Sequence, residues 1–295
     1  MKLLCIGNPG QVAQALVERC GIANVPCIAL GRPNLDLLKE QTVKTAIDKH
    51  APSIIVNAAA YTAVDKAESE EAAAFAVNAQ ACEMLAKQAH ARDIPLIHLS
   101  TDYVFDGSKS EPYTEADPIK PLGAYGRSKA AGEDAIRLNT DKHIILRTAW
   151  VYSPFGNNIV KTMLRLAEGR DALSDVDDQI GNPTNALDIA DGIIAICQTG
   201  IETDKYGTYH MTGSGKASWA DLAALVFDLY QEMTGKHVSL VRIPSSEYPT
   251  PAERPKNSQL DCAKLASAFN VRLLRWQDSA EKVVRRLLKE RTDLS

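Results

Sequence analysis

The chain has 295 residues, 45% hydrophobic and 24% charged, with a formal net charge of −4. That length suits one large domain or a domain with an added lobe, and the composition excludes a disordered polymer. The acidic balance argues against wholesale binding to duplex nucleic acid, which usually needs a basic face, and no run of about 18 apolar residues exists to cross a membrane.

Residues 2–6 are apolar and end at Gly7, which predicts a buried strand closed by a turn. The run is too short for a signal peptide, so the cytoplasm is the expected compartment. A helix follows over 11–19, with Val12, Leu16 and Val17 on one side. Strands are then predicted over 26–30, 53–57, 95–99 and 143–146, and helices over 43–49, 70–92 and 129–139. Strands separated by helices form β-α-β units and a parallel sheet. Their uninterrupted apolar character predicts helices on both faces. Residues 1–152 therefore read as a doubly wound α/β domain. Residues 153–295 read as a smaller C-terminal α/β lobe over the carboxyl edge of the sheet. This part has helices over 158–168, 185–198, 218–232 and 278–291, and a proline-rich loop over 244–254. A strand at 207–211 returns to the main sheet. The six cysteines include no C-x-x-C pair and fall mostly in apolar stretches, as small reduced hydrophobes do.

The turn Gly7-Asn8-Pro9-Gly10-Gln11-Val12-Ala13 joins a predicted strand to a predicted helix. Gly7 permits the turn, and Gly10 lets backbone approach a pyrophosphate. The helix start supplies free N–H groups and the positive end of its dipole. This is the phosphate turn of a Rossmann-like dinucleotide-binding domain, although a plain strand–turn–helix has the same local pattern. After the second strand, where NAD-binding folds place an acid for the ribose, the chain has Gly31-Arg32. A guanidinium suits a 2′-phosphate, so NADPH is favoured over NADH. Small residues after the third strand (58–60) let a ligand lie against backbone, although a tight strand–helix packing point calls for the same residues. Ser100 and Thr101 emerge at the end of the fourth strand, where such sheets bind ligands. Tyr125 and Lys129 stand four apart and share a helix face. A nearby ammonium favours the phenolate, which would tune Tyr125 as a proton donor and leave Lys129 to grip the nicotinamide ribose.

With these residues assembled, the chain resembles the extended short-chain dehydrogenase/reductase family, and within it the dTDP-4-dehydrorhamnose reductases. The resemblance runs nearly end to end. Its most specific markers are Val64-Asp65-Lys66-Ala67-Glu68, Ser100-Thr101-Asp102-Tyr103-Val104-Phe105, Tyr125-Gly126-Arg127-Ser128-Lys129 and Pro249-Thr250-Pro251-Ala252-Glu253-Arg254-Pro255. It implies reduction of the C4 ketone of a dTDP-6-deoxy-4-keto sugar. Tyr125, Lys129 and Thr101 would be catalytic, the last hydrogen-bonding the sugar oxygen. It implies cofactor contacts at Gly7, Gly10, Gln11, Val12, Arg32, Asp36, Leu37, Ala60, Tyr61 and Thr62. It implies substrate contacts at Asp102, Trp150, Asn157 and Arg254, the last at the nucleotide phosphates. Some relatives hold a divalent metal at a dimer contact through acidic residues. Ala15 and Leu187 occupy two of those places here, with Asp188 and Asp191 nearby, so no metal is expected and a homodimer is left open. Two other readings share these motifs: an epimerase or dehydratase of another nucleotide sugar, and a non-catalytic NADP-binding regulatory subunit.

Overall fold

The computed structural model describes residues 1–201 and 203–292, so the last three residues of the expected lobe lie outside it. The first half supplies five strands: β1 (Leu3–Ile6), β2 (Cys27–Leu30), β3 (Ile54–Asn57), β4 (Leu96–Thr101) and β5 (His143–Thr148). Between them run α1 (Gln11–Ile22), α2 (Glu40–His50), α3 (Val64–Ala67), α4 (Glu71–Phe75), α5 (Ala81–His90) and α6 (Ala124–Asn139). The second half gives β6 (Val151–Tyr152), α7 (Ile159–Gly169), β7 (Ala172–Val176), β8 (Ile180–Gly181), β9 (Thr184–Asn185) and α8 (Ala186–Thr199). It continues with β10 (Gly207–His210), β11 (Ala217–Ser218), α9 (Trp219–Thr234), β12 (Ser239–Ile243), α10 (Ala263–Phe269) and α11 (Trp276–Thr292).

Six strands form one sheet in the order β10-β5-β4-β3-β1-β2, with every pairing parallel. The α/β architecture and the late return strand match the sequence reading. Successive residues of β1 go to opposite faces. Leu3 and Cys5 join the core beneath α1 and α8, while Leu4 and Ile6 join the core beneath α2 and α5. That two-sided burial is why the strands read as continuous apolar runs. A separate core, built from Leu164, Leu173, Val226, Phe227, Trp276 and Val284, holds α7, α9 and α11 together.

The order reverses between β1 and β3, a topological switch point, and in open α/β sheets ligands bind outside the strand ends there. Three local differences from the sequence reading bear on the site. The helix carrying Tyr125 starts at Ala124, so the phenol sits in its first turn. The predicted helix over 70–92 is broken into α4 and α5 by a π-helical segment, Ala76–Gln80. That widened turn buries Asn78, whose amide clasps both backbone groups of Tyr61, accepting from N–H at 2.8 Å and donating to the carbonyl at 3.0 Å. Finally, β7 and β12 pair in parallel as a small second sheet, and α10 is an added helix. The alternating exposure of Ala172–Val176 and the open face of β12 leave little apolar signal in either strand.

Candidate active site

The cofactor turn is constrained by close backbone approach. Gly7 has φ +129°, and a Cβ there would lie 2.8 Å from the Ala58 carbonyl carbon. A Cβ on Gly31 would lie 1.7 Å from the Asn8 carbonyl oxygen, so the ends of β1, β2 and β3 meet through glycine. Helix α1 begins directly after Gly10 with no acidic residue in its first turn and no side chain capping it. Its free N–H groups therefore remain available to an anion.

These elements border one cleft of about 830 Å³. Gly7, Gly10, Gln11, Val12, Arg32, Asp36, Leu37, Ala60, Tyr61, Thr62, Tyr125 and Lys129 all line it. Asn157, which the resemblance assigns to substrate, lines this cleft as well. Arg32 is exposed at the rim. The Asp36 carboxylate accepts the Leu38 N–H at 3.0 Å, closing a local turn. Gln11 reaches out of α1 into the β6 region, accepting from Ser153 Oγ at 2.8 Å and Asn158 Nδ2 at 3.0 Å. The Tyr61 hydroxyl donates to Glu70 Oε2 at 2.6 Å. Thr148 lines the cleft with its hydroxyl buried and unpartnered among the described residues. A dinucleotide fits this site: it offers an apolar floor, an open helix start and an orphaned hydroxyl.

At the inner end, Tyr125 is half-buried and its ring meets Tyr103 edge-on, centroids 5.9 Å apart. Burial pushes the phenol up to about 12, opposed by its hydrogen bond to the Thr101 hydroxyl and reinforced by the Asp102 carboxyl. Thr101 also donates to Asp102 Oδ1 at 3.0 Å, so the three side chains form a row. Asp102 is pushed up to about 7, first by burial. Hydrogen bonds from Ser258 and Thr101 offset part of that burial, although Oδ2 has no partner of good geometry.

Lys129 corrects the sequence reading. Its Nζ donates to the Leu99 carbonyl at 2.7 Å and lies 3.2 Å from His98 Nε2. It is not among the groups that move Tyr125, and the phenol is held up by burial rather than drawn down by the ammonium.

Thr101, Asp102, Trp150 and Arg254 lie outside the large cleft. Trp150 is half-buried with φ +48° and stacks on Trp219, centroids 3.5 Å apart and planes 4° from parallel. Arg254 is held by Asp65 through two bonds of 2.9 and 2.8 Å, and it also donates to Thr250 Oγ1 and the Ala252 carbonyl. A second, small cavity runs between Tyr103, Tyr125 and Ala252. Glu253 and Pro255, the chain neighbours of Arg254, also line it. Of the acids near the metal position implied by resemblance, Asp191 pairs with Arg19 at 2.6 Å and Asp188 accepts from Ser279 Oγ at 2.6 Å. Among the described residues no three His, Cys, Asp or Glu side chains gather as a metal site.

A family model described as the RmlD substrate binding domain matches residues 1–289. A dTDP-4-dehydrorhamnose reductase of Sinorhizobium fredii is 48% identical over 296 residues, covering 99% of this chain and 100% of that protein. The chain belongs to the dTDP-4-dehydrorhamnose reductase family. Two solved structures of this family superpose with a TM-score of 0.90. The enzyme from Clostridium acetobutylicum is 35% identical and covers 98% of this chain and 100% of its own. The enzyme from Bacillus anthracis, determined in complex with NADP, is 32% identical and covers 97% and 100%.

Several residues around this candidate site were not singled out by sequence reasoning. Asp65 lies inside a marker motif, yet its role as the anchor of Arg254 appears only in three dimensions. Ser100 was noted as a strand-end hydroxyl. It donates to Glu133 Oε1 at 2.6 Å, and the same carboxylate receives the buried Arg147 at 2.9 and 2.7 Å. That network ties α6 to β4 and β5 and so fixes where Tyr125 stands. Glu133 on α6 falls eight residues after Tyr125 and one turn after Lys129, so helix periodicity could have flagged it.

Proposed function

We propose that this protein reduces the C4 ketone of dTDP-4-dehydro-6-deoxy-L-mannose to dTDP-L-rhamnose, with NADPH as the reductant. The observation that carries this reading is the convergence of the glycine turn, Arg32, Tyr125 and Lys129 on one cleft, with Thr101 hydrogen-bonded to the phenol at its inner end. The bound nicotinamide would supply the hydride.

The residues of the chain account for the rest. Gly10, Gln11 and Val12 at the start of α1 would receive the diphosphate, and Arg32 at the rim would pair with a 2′-phosphate. Asp36, Leu37 and residues 60–62 would border the adenosine half. Lys129 would hold the ribose beside the phenol. Tyr125 is a phenol whose pKa is pushed up to about 12 by desolvation, which favours the neutral, proton-bearing form. It would deliver that proton to the sugar oxygen as negative charge grows there, and Thr101 would steady the same oxygen. Asp102, Trp150 and Asn157 would position the sugar. Arg254, preset by Asp65, would meet the nucleotide phosphates through whatever donor capacity that pairing leaves.

The test is to mix purified protein, NADPH and dTDP-4-dehydro-6-deoxyglucose with its 3,5-epimerase, and to follow loss of reduced-nicotinamide absorbance and formation of dTDP-rhamnose. Stoichiometric oxidation with dTDP-L-rhamnose as product is expected. Folded protein that binds NADPH but oxidises none would refute the reading.

A further inference from the structure

We propose that His98 is a positioning residue that holds Lys129 as a neutral amine in the cofactor-free enzyme, so that NADPH binding draws one proton onto Lys129. The proposal rests on the NADPH reading above and deepens it. His98, on β4, Asn57, on β3, and Lys129, on α6, are all buried. Asn57 Oδ1 accepts the backbone N–H of Ala59 at 3.2 Å, so the amide nitrogen is turned inward. That nitrogen lies 3.1 Å from His98 Nδ1 and 3.6 Å from Cys82 Sγ.

An amide nitrogen donates and does not accept. His98 Nδ1 must therefore present its lone pair, and the ring proton sits on Nε2. Nε2–H points at Lys129 Nζ, 3.2 Å away. A neutral amine meets this arrangement well: its lone pair receives Nε2–H, one of its hydrogens goes to the Leu99 carbonyl, and the other is free toward the cleft. An ammonium would set N–H against N–H. To accept from an ammonium, His98 would have to shift its proton to Nδ1, and Asn57 would have to turn and abandon Ala59.

The other groups around Lys129 do not reverse this. Cys82, on α5, is kept as a neutral thiol by burial. Glu133, one turn along α6, is committed to Arg147, Arg137 and Ser100. Tyr125, one turn back, is a neutral phenol, and Thr148 of β5 brings only a hydroxyl. Burial lowers both Lys129 and His98, in the same sense as the geometry. A bound dinucleotide would add negative charge and hydroxyl acceptors on the open side of Nζ, which favours the ammonium.

Two measurements test this. Nitrogen-15 spectra of histidine-labelled free protein, with His98→Gln for assignment, report which ring nitrogen carries the proton; Nε2–H is expected. Calorimetry of NADPH binding at about pH 8, in buffers of different ionisation enthalpy, counts protons; uptake of about one per NADPH is expected, with affinity falling by up to about tenfold per pH unit between the free and bound pKa values of Lys129. In His98→Gln the side-chain carbonyl can accept from an ammonium, so NADPH should still bind with uptake near zero. Asn57→Asp should reach the same end by drawing the His98 proton to Nδ1. A proton on Nδ1 in the wild type, or uptake that is absent or unchanged by these variants, overturns the proposal. Failure of NADPH to bind at all would strike the cofactor reading instead, and the spectrum of the free protein then decides the His98 assignment by itself.

Discussion

Replacing Asp102 with asparagine should stabilise this protein at alkaline pH while damaging its site. The Asp102 carboxyl is buried, and burial moves it from 3.8 to about 7. Because the folded value lies above the unfolded one, the folded state retains a proton that the unfolded chain has already lost. Stability therefore falls as pH rises from about 4 to about 7, and the loss is complete above that window. At about 1.4 kcal/mol for each power of ten, the penalty is about 4 kcal/mol, and local relaxation would reduce it to about 2–4 kcal/mol. Asparagine has the shape of the neutral acid and does not titrate. Urea unfolding of wild type and Asp102→Asn should agree near pH 4 and separate by about 2–4 kcal/mol near pH 8, with the variant more stable. The variant should also bind the sugar nucleotide more weakly. Parallel stability–pH curves would show that Asp102 does not bear this burial cost.

Other outcomes follow from the same geometry. Tyr125→Phe should cut turnover by about 10²-fold or more with little change in sugar binding, since it removes a proton donor and leaves the ring in place; single-turnover kinetics and substrate titration separate the two. Arg32→Ala should weaken NADPH more than NADH, and equal losses by calorimetry would remove the 2′-phosphate contact. Arg254→Ala should raise KM for the nucleotide sugar more than KM for NADPH. Asp65→Ala should reproduce part of that effect, because it frees the guanidinium from its two anchoring bonds; an unchanged sugar KM in both would place this pair outside the phosphate site.

The parts of the molecule visible in the sequence are those written in local patterns. The strands of the main sheet are apolar because both faces are covered, and the glycines at 7 and 31 stand where backbone meets backbone. The Tyr-x-x-x-Lys spacing shows one helix face directly. What was hidden depends on partners far along the chain. Asp65 and Arg254 are 189 residues apart. Lys129 could not be seen to turn toward His98, because the strand neighbour that captures it has no marker of its own. The π segment carries Asn78, whose partner Tyr61 lies on a loop outside the helix, so the helix pattern alone does not show the break. The β7–β12 pair joins two short strands with exposed polar positions, so neither stands out alone.

The most direct test follows the hydride itself. NADPH deuterated at its transferable C4 position should label the sugar at C4 when dTDP-4-dehydrorhamnose is reduced by this protein, with one deuterium per dTDP-L-rhamnose by mass spectrometry. Product without the label, or label at another sugar carbon, would contradict the account.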